Sequence, residues 1–281
     1  MSYALPDLLL DAEVVRRGLC SFIAQNLEAA GRQRAVLGLS GGLDSSLVCW
    51  LAKEALGPEN VVAVTMPYWA SSPDSLEDAL AVIHLTGVKH VHIDISRAAE
   101  AMFAFFPAAD RRRRGNILAR LRMIVLYDCS EEFEGLVLGT GNKTELLLGY
   151  FTLHGDSACA LMPIGDLYKT QVRQLASALG IPDRIIKKPP TADLWPGQTD
   201  EGEIGLLYDE ADAILYELVE LDRHPAELVA AGWSAAKVER VCNLMRASQF
   251  KRVLPPIAKV NRRTLGRELP PERGQLWPFS W

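Results

Sequence analysis

The sequence has no run of about 18 consecutive apolar residues, the least a helix needs to cross a bilayer. Nothing spanning a membrane is therefore expected. The start, Met1 to Leu10, lacks a basic stretch followed by an apolar one, so no secretory signal is read there. Cysteine is sparse and scattered: Cys20, Cys49, Cys129, Cys159 and Cys242, with no C-x-x-C pair. An odd, dispersed set supports neither a disulfide framework nor a zinc site. Reduced thiols in a cytoplasmic protein are the expectation. Positive charge is not in excess either. Thirty Lys and Arg against 35 Asp and Glu give a net charge of -5. That argues against a general polyanion binder, and no nucleic-acid partner is expected, though a local basic site is still allowed. Internal repeats, low-complexity segments, a Walker A loop and a G-x-G-x-x-G turn are all missing. Gly165-Asp-Leu-Tyr-Lys169-Thr170 approaches the Walker pattern but lacks the glycine beside the lysine.

What remains is an ordinary globular composition, 49% hydrophobic and 23% charged over 281 residues. A chain of that length builds a core without metal or disulfide staples. Residues 11–30 carry Val15, Leu19, Phe22, Ile23 and Leu27 at helical spacing, with Gly18 inside the helix. Ala35 to Leu39 reads as a buried strand. A glycine-rich turn over 40–46 follows, then a helix over 47–56 stopped by Gly57-Pro58. Strands are expected over 60–67, 88–95 and 135–138. Helices are expected over 73–86, opened by Ser72 and Pro73, and over 117–129. Alternation of this kind predicts an α/β fold with a parallel twisted sheet flanked by helices on both faces. Residues 96–116, with Arg111 to Arg114, and residues 187–203 read as long loops. The pattern is helical from 204 to about 248, and an extended tail begins near Leu254. Residues 1–281 are read as one domain.

The strongest local signal is strand, then Ser40-Gly41-Gly42-Leu43-Asp44-Ser45-Ser46, then helix. Glycines let a backbone approach phosphate closely. The helix start offers unpaired N–H groups and partial positive charge to an anion. Ser40, Ser45 and Ser46 add hydroxyl donors. Asp44 would repel phosphate unless a cation stood between them, which points to Mg²⁺. This S-G-G-x-D-S-S turn resembles that of the ATP pyrophosphatases, which cleave ATP between its α and β phosphates.

Further motifs follow in order: Gly139-Thr140-Gly-Asn-Lys-Thr-Glu145, Gly149-Tyr150-Phe-Thr-Leu-His154-Gly-Asp156, Pro163 to Val172 with Lys169, Lys188-Pro-Pro-Thr191-Ala-Asp193-Leu194, and Gln198-Thr-Asp200-Glu201. From residue 36 to about 252 this series resembles the ammonia-dependent NAD synthetases. The resemblance implies a Rossmann-like sheet of the adenine nucleotide α-hydrolase kind with C-terminal helices. It also implies ATP-dependent amidation of nicotinic acid adenine dinucleotide to NAD. A carboxylate attacks the α-phosphate of ATP, pyrophosphate leaves, and ammonia attacks the acyl-adenylate. By resemblance, Gly38, Leu39 and the turn 40–46 hold ATP together with Thr140, Lys169 and Thr191. Asp44, Lys169 and Thr191 are the implied catalytic residues, and Asp44 and Glu145 the implied Mg²⁺ ligands. Arg120, Tyr127, Tyr150, Asp156 and Lys251 match dinucleotide-contacting positions, with Arg252 beside the last. The family's site is shared between two subunits, which implies a homodimer. Phe250 stands where histidine is frequent and Ala160 where aspartate is frequent. The arginine run occupies a stretch where an aromatic is often found.

Two rival readings use the same residues. A tRNA or cofactor sulfurtransferase would need a reactive thiol, for which Cys129 and Cys159 are the candidates. A non-catalytic nucleotide-binding module would lack the acidic pair, and both Asp44 and Glu145 are here. His90 and His92 share a strand face without a third metal ligand, and His154 is expected to pack or meet solvent. The arginine run reads as a solvated loop or a lid over dinucleotide phosphates. Glutamine-dependent relatives carry a large fused glutaminase, for which this chain has no room. Free ammonia is the expected nitrogen source, with a separate glutaminase subunit the alternative.

Overall fold

Asp11 caps the first helix by accepting from the Val14 N–H at 3.0 Å, and helix α1 runs Ala12–Ala29. Ile23 and Leu27 bury completely, whereas Phe22 stands half out of the surface. Strand β1 (Arg34–Gly38) leads into α2 (Leu43–Leu56), then β2 (Val61–Thr65), α3 (Pro73–Thr86) and β3 (Lys89–His92). Next come α4 (Ser96–Phe105), α5 (Arg111–Glu132), β4 (Gly135–Val137) and α6 (Lys143–Leu148). The C-terminal part holds α7 (Lys169–Ala178), α8 (Asp183–Ile186), α9 (Asp200–Ile204), α10 (Tyr208–Val219), α11 (Pro225–Ala230) and α12 (Ala235–Ser248). The computed structural model describes residues 8–195 and 197–260. Most of the expected tail therefore lies outside the described residues.

The four strands pair in parallel in the order β3-β2-β1-β4. Side chains alternate across the sheet, as the period of 2 requires. Ala35 and Leu37 of β1, with Val61 and Ala63 of β2, pack with α1, α2 and α7. Val36, Val62 and Val64 face Val125, Leu126 and Cys129 of α5. Helices thus cover both faces, and the expected α/β architecture stands. A second apolar cluster joins α10, α11 and α12 around the fully buried Tyr208. Among the described residues, no helix is long and apolar enough to cross a membrane.

Several expected boundaries shift. Residues 96–116 are not a loop: α4 fills the first half, and the arginine run is the first turn of α5. Asp110 caps that helix by accepting from the Arg113 N–H at 2.8 Å, and arginine is a strong helix former. Gly115 is buried in α5 because residues 194–195 pass against it. A Cβ there would meet Leu194 Cδ1 and Trp195 Cζ3, each at 3.0 Å. Helix α2 opens at Leu43, so Asp44, Ser45 and Ser46 belong to its first turn and not to the preceding loop. Strand β1 shifts by one residue and β2, β3 and β4 are shorter than expected, although Ile93 N and Ile95 N still bond Thr65 O and Pro67 O beyond β3. The long loop from 187 ends in α9, and the helical stretch beyond breaks into three helices.

Candidate functional site

β1 is central and its neighbours continue in opposite directions, β2 on one side and β4 on the other. In an open parallel sheet a crevice forms at the carboxyl ends of strands around such a point. A cavity of about 690 Å³ opens there, bordered by Gly38, Leu39 and Ser40 after β1 and by Leu138, Gly139 and Thr140 after β4.

The turn after β1 holds itself in shape. Gly42 N donates to Ser40 Oγ at 3.2 Å, and the Ser40 and Ser45 hydroxyls lie 3.0 Å apart. Ser46 Oγ donates to Gly42 O at 2.7 Å and is fully buried. Gly41 has φ +76° and tucks against Ser75 and Ala79 of α3. Gly42 opens α2 without any side-chain cap, so the first-turn amides face the cavity side with their share of the helix dipole. Ser40, Gly42, Leu43, Asp44 and Ser45 line the cavity. Gly41 and Ser46 lie behind them and hold the turn in place.

The charged centre comes from three separate helices. Asp44 lies in the first turn of α2, Glu145 in the first turn of α6, and Lys169 is the first residue of α7. Lys169 is only 4% exposed and forms an ion pair with Asp44, with Glu145 Oε1 at 4.0 Å. It is not a surface lysine. Asn142, fully buried, ties these helices together. Its Nδ2 donates to Asp44 Oδ1 at 2.9 Å, and its Oδ1 accepts from the Glu145 N–H at 3.0 Å. Glu145 Oε2 in turn accepts from the Asn142 N–H at 3.2 Å, which completes a capping box. Burial, then the charge of Asp44, pushes the Glu145 carboxyl well above the usual carboxylate range; Lys169 offsets part of this. Burial alone would lower the Lys169 pKa, but Asp44 and Glu145 outweigh it and raise it.

Asp200, at the start of α9, is a fourth member that the sequence reading did not assign to the site. It is 5% exposed and lines the cavity; Oδ2 accepts from Tyr208 Oη at 3.2 Å, and Oδ1 has no hydrogen-bond partner. Two carboxylates therefore stand within 4.0 Å of one ammonium, and the charge of Asp200 also acts on it. All the donors are hard oxygens, an acidic excess is left over, and one buried carboxylate oxygen is unpaired. That set suits a divalent ion held by one or two carboxylates together with phosphate oxygens. Among the described residues no group of three or more His, Cys, Asp or Glu is placed to hold a metal ion by itself. A phosphate-bridging ion needs none.

The remaining candidates divide. Thr140, Tyr150, Asp156, Thr191 and Lys251 all line the same cavity. Thr191 Oγ1 accepts from Asp193 N at 3.1 Å. Its loop is clipped to α3 and the turn before it, where the Ser72 N–H reaches Asp193 Oδ2 at 3.1 Å and Lys188 pairs with Asp78 at 2.8 Å. Tyr150 Oη donates to Glu203 at 2.7 Å. Asp156 accepts from Thr152 N at 2.9 Å; the walls around its carboxyl push its pKa up. Lys251 Nζ donates to Gly149 O and Phe151 O, both at 2.8 Å. Arg252 binds the carbonyls of Leu147 and Met245, so half of this basic pair closes helix ends.

Arg120 and Tyr127 are not among the residues lining the cavity. Arg120 donates to Leu153 O at 3.1 Å, and Tyr127 is 41% exposed on the outer flank of α5. The cavity flank of that helix carries Arg112, Arg113, Asn116, Ala119 and Arg122 instead. From Arg113 these recur every three residues, with Arg112 four before Asn116. Arg111 and Arg114 lie over the rings of Trp195 and Phe103. The arginine run thus packs on aromatic rings and partly faces the cavity. Neither rival thiol is activated: burial raises the pKa of Cys129 and pushes Cys159 up to about 11. His90 and His92 both bond Thr65 Oγ1 at 2.9 Å.

A family model described as NAD synthase matches residues 15–255. The NH(3)-dependent NAD(+) synthetase of Trichlorobacter lovleyi is 52% identical over 261 residues, covering 93% of this chain and 96% of its own. The solved NH3-dependent NAD synthetase of Campylobacter jejuni superposes with a TM-score of 0.77 at 35% identity, covering 89% of this chain and all of its own. The NMN synthetase structure from Francisella tularensis gives 0.80 at 31% identity, covering 89% of this chain and 99% of its own. With a cradle, an acidic pair and a buried lysine meeting in one cavity, and matches extending over most of its length, the chain belongs to the NAD synthase family.

Proposed function

We propose that the chain amidates nicotinic acid adenine dinucleotide to NAD, consuming ATP and ammonia and releasing AMP and pyrophosphate. One observation carries this reading: the uncapped start of α2, the Asp44–Lys169 pair and Glu145 share a cavity with Tyr150, Asp156 and Lys251. First-turn amides of α2 and the Ser40 and Ser45 hydroxyls bind the β and γ phosphates. Lys169 adds positive charge as the bond between the α and β phosphates breaks. A substrate carboxylate oxygen forms the new bond to the α-phosphorus, and ammonia then displaces AMP from the acyl carbon. Such catalysis rests on positioning and charge neutralisation, which buried, preorganised groups supply. Asp44 and Glu145 would hold Mg²⁺, which when bound neutralises phosphate charge. Thr191 and Thr140 border the same phosphates.

The test is mass detection of NAD from the dinucleotide, ATP, Mg²⁺ and ammonium, with no glutaminase present. The expected result is NAD formation that stops when Mg²⁺ is chelated. Dependence on glutamine and a partner subunit would overturn the free-ammonia reading. The likeness to an NMN synthetase supports a second reading, in which the acid is the mononucleotide. Nicotinate mononucleotide run in parallel decides between them by the ratio of kcat/KM.

The outer flank of α5 supports a homodimer in which Arg120 and Tyr127 act on the partner's substrate. Ile124, four residues from one and three from the other, is 58% exposed between them. Ile124→Arg is expected to yield a monomer in sedimentation, with KM for the dinucleotide raised at least about tenfold, since a charge enters an apolar contact. A wild-type monomer would refute this arrangement. The same reading places the enzyme in the cytoplasm, where its small-molecule substrates are made.

A further inference from the structure

Helices α6 and α7 each contribute one charged residue to the centre, yet neither residue sets its own position. Both helix starts converge on Asp212, which is fully buried on α10 and does not line the cavity. One carboxylate oxygen accepts from Thr144 Oγ1 at 2.5 Å; the other accepts from the Thr170 N–H at 2.8 Å. Because Thr144 spends its proton on Asp212, its oxygen is free to accept from the Lys169 N–H at 3.0 Å. The first two amides of α7, which have no partners within the helix, are thus both satisfied from outside. Thr144 is the residue before Glu145, and Thr170 the residue after Lys169. One carboxylate fixes both.

We propose that Asp212, acting through Thr144, is a positioning residue that sets the spacing of Glu145 and Lys169 for adenylyl transfer. Gln171 reaches back to the Tyr168 N–H at 3.0 Å, but Tyr168 has no side-chain cap for the amides that follow, and an aspartate on a distant helix serves there instead. Its charge suits a helix start. A neutral amide could accept from only one of the two donors and would present its own N–H groups to the other. The two helices would then lose their common reference. Misplacement of about 1 Å at a reacting centre costs on the order of 100-fold in rate.

This inference rests on the ligase reading above, and the experiment separates the two. Thr144→Val keeps the volume and removes the hydroxyl; Thr144→Ser restores it; Asp212→Asn removes the charge. ATP–pyrophosphate exchange and full turnover are measured for each, beside thermal melts. The expected result is a kcat about 10- to 100-fold lower in Thr144→Val and Asp212→Asn, with KM for ATP within about threefold. Thr144→Ser should recover most of the rate. Exchange should fall in step with turnover, because adenylation is the step affected. If the Asp212 variant does not fold, the Thr144 pair decides alone. Lower melting temperatures with kcat kept within twofold would reduce Asp212 to a structural brace and overturn the proposal. An inactive wild type would sink the ligase reading and this proposal together; an active wild type with unchanged variants would sink this one only.

Discussion

In Asp44→Asn, ATP-dependent pyrophosphate release is expected to fall by at least about 10²–10³-fold while the fold survives. Asp44 accepts from Asn142 Nδ2 and pairs with Lys169 Nζ, so its charge is used twice before any substrate arrives. Asparagine has nearly the same volume, which keeps the first turn of α2 packed. What it removes is half of the acidic pair that would hold Mg²⁺ and the direct counter-charge of a buried ammonium. Breaking a buried pair costs about 3–5 kcal/mol when the other charge is stranded. Here Glu145 Oε1 at 4.0 Å still stands by Lys169, so the loss of stability should fall below that range. Pyrophosphate release titrated with Mg²⁺ is the measurement. Near-normal turnover at ordinary Mg²⁺ would refute the metal role of Asp44.

Gly41→Ala is expected to be severely destabilising. The residue has φ +76°, and a Cβ there would overlap the Ser75 carbonyl oxygen and lie 3.0 Å from the Ala79 nitrogen. Both obstacles are backbone of α3 and cannot swing aside. Gly180→Ala is the control: φ is +72°, yet nothing lies within 4 Å of the added atom. The control should lose only the backbone preference, about 1–2 kcal/mol. Gly41→Ala should lose several times that in urea denaturation, and whatever folds should bind ATP poorly because α3 must move off the cradle. Equal losses in the two variants would show that the clash is relieved cheaply.

These two predictions draw on different kinds of legibility. The 40–46 turn could be read from the sequence because glycine, serine and a lone aspartate between a strand and a helix have a local reason to be there. Asn142 was within reach for the same reason: an asparagine three residues before a glutamate is a capping pattern. Lys169 lines the cavity, but its burial could not be foreseen, since only the approach of α2 and α6 removes it from water. Asp200 and Asp212 look alike in sequence, acidic residues near helix starts or within helices. Tertiary contact alone makes one a cavity-lining carboxylate and the other a buried acceptor shared by two helix starts. Helix α5 starts at Arg111 and not at Ile117, because its cap lies within the arginine-rich stretch read as a loop. With Asp110 as its cap, the helix extends far enough to bring Arg112 and Asn116 to the cavity beside Ala119, while Arg120 and Tyr127 stay outside the lining.

One neighbour of the central strand follows it closely in sequence and the other lies far downstream, and this bears on how the protein is made. A ribosome that has delivered residues up to Glu132 has released β1, β2, β3 and the whole phosphate turn. It has not yet released β4, Glu145, Lys169 or Asp212. One edge of β1 is bare at that stage, and pairing it must wait for a partner about a hundred residues downstream. Contacts of such sequence separation form slowly, and uncovered strand edges invite aggregation. Translation across residues 133–170 is therefore where that edge of the sheet first gains its partner, together with Glu145 and Lys169 of the charged centre.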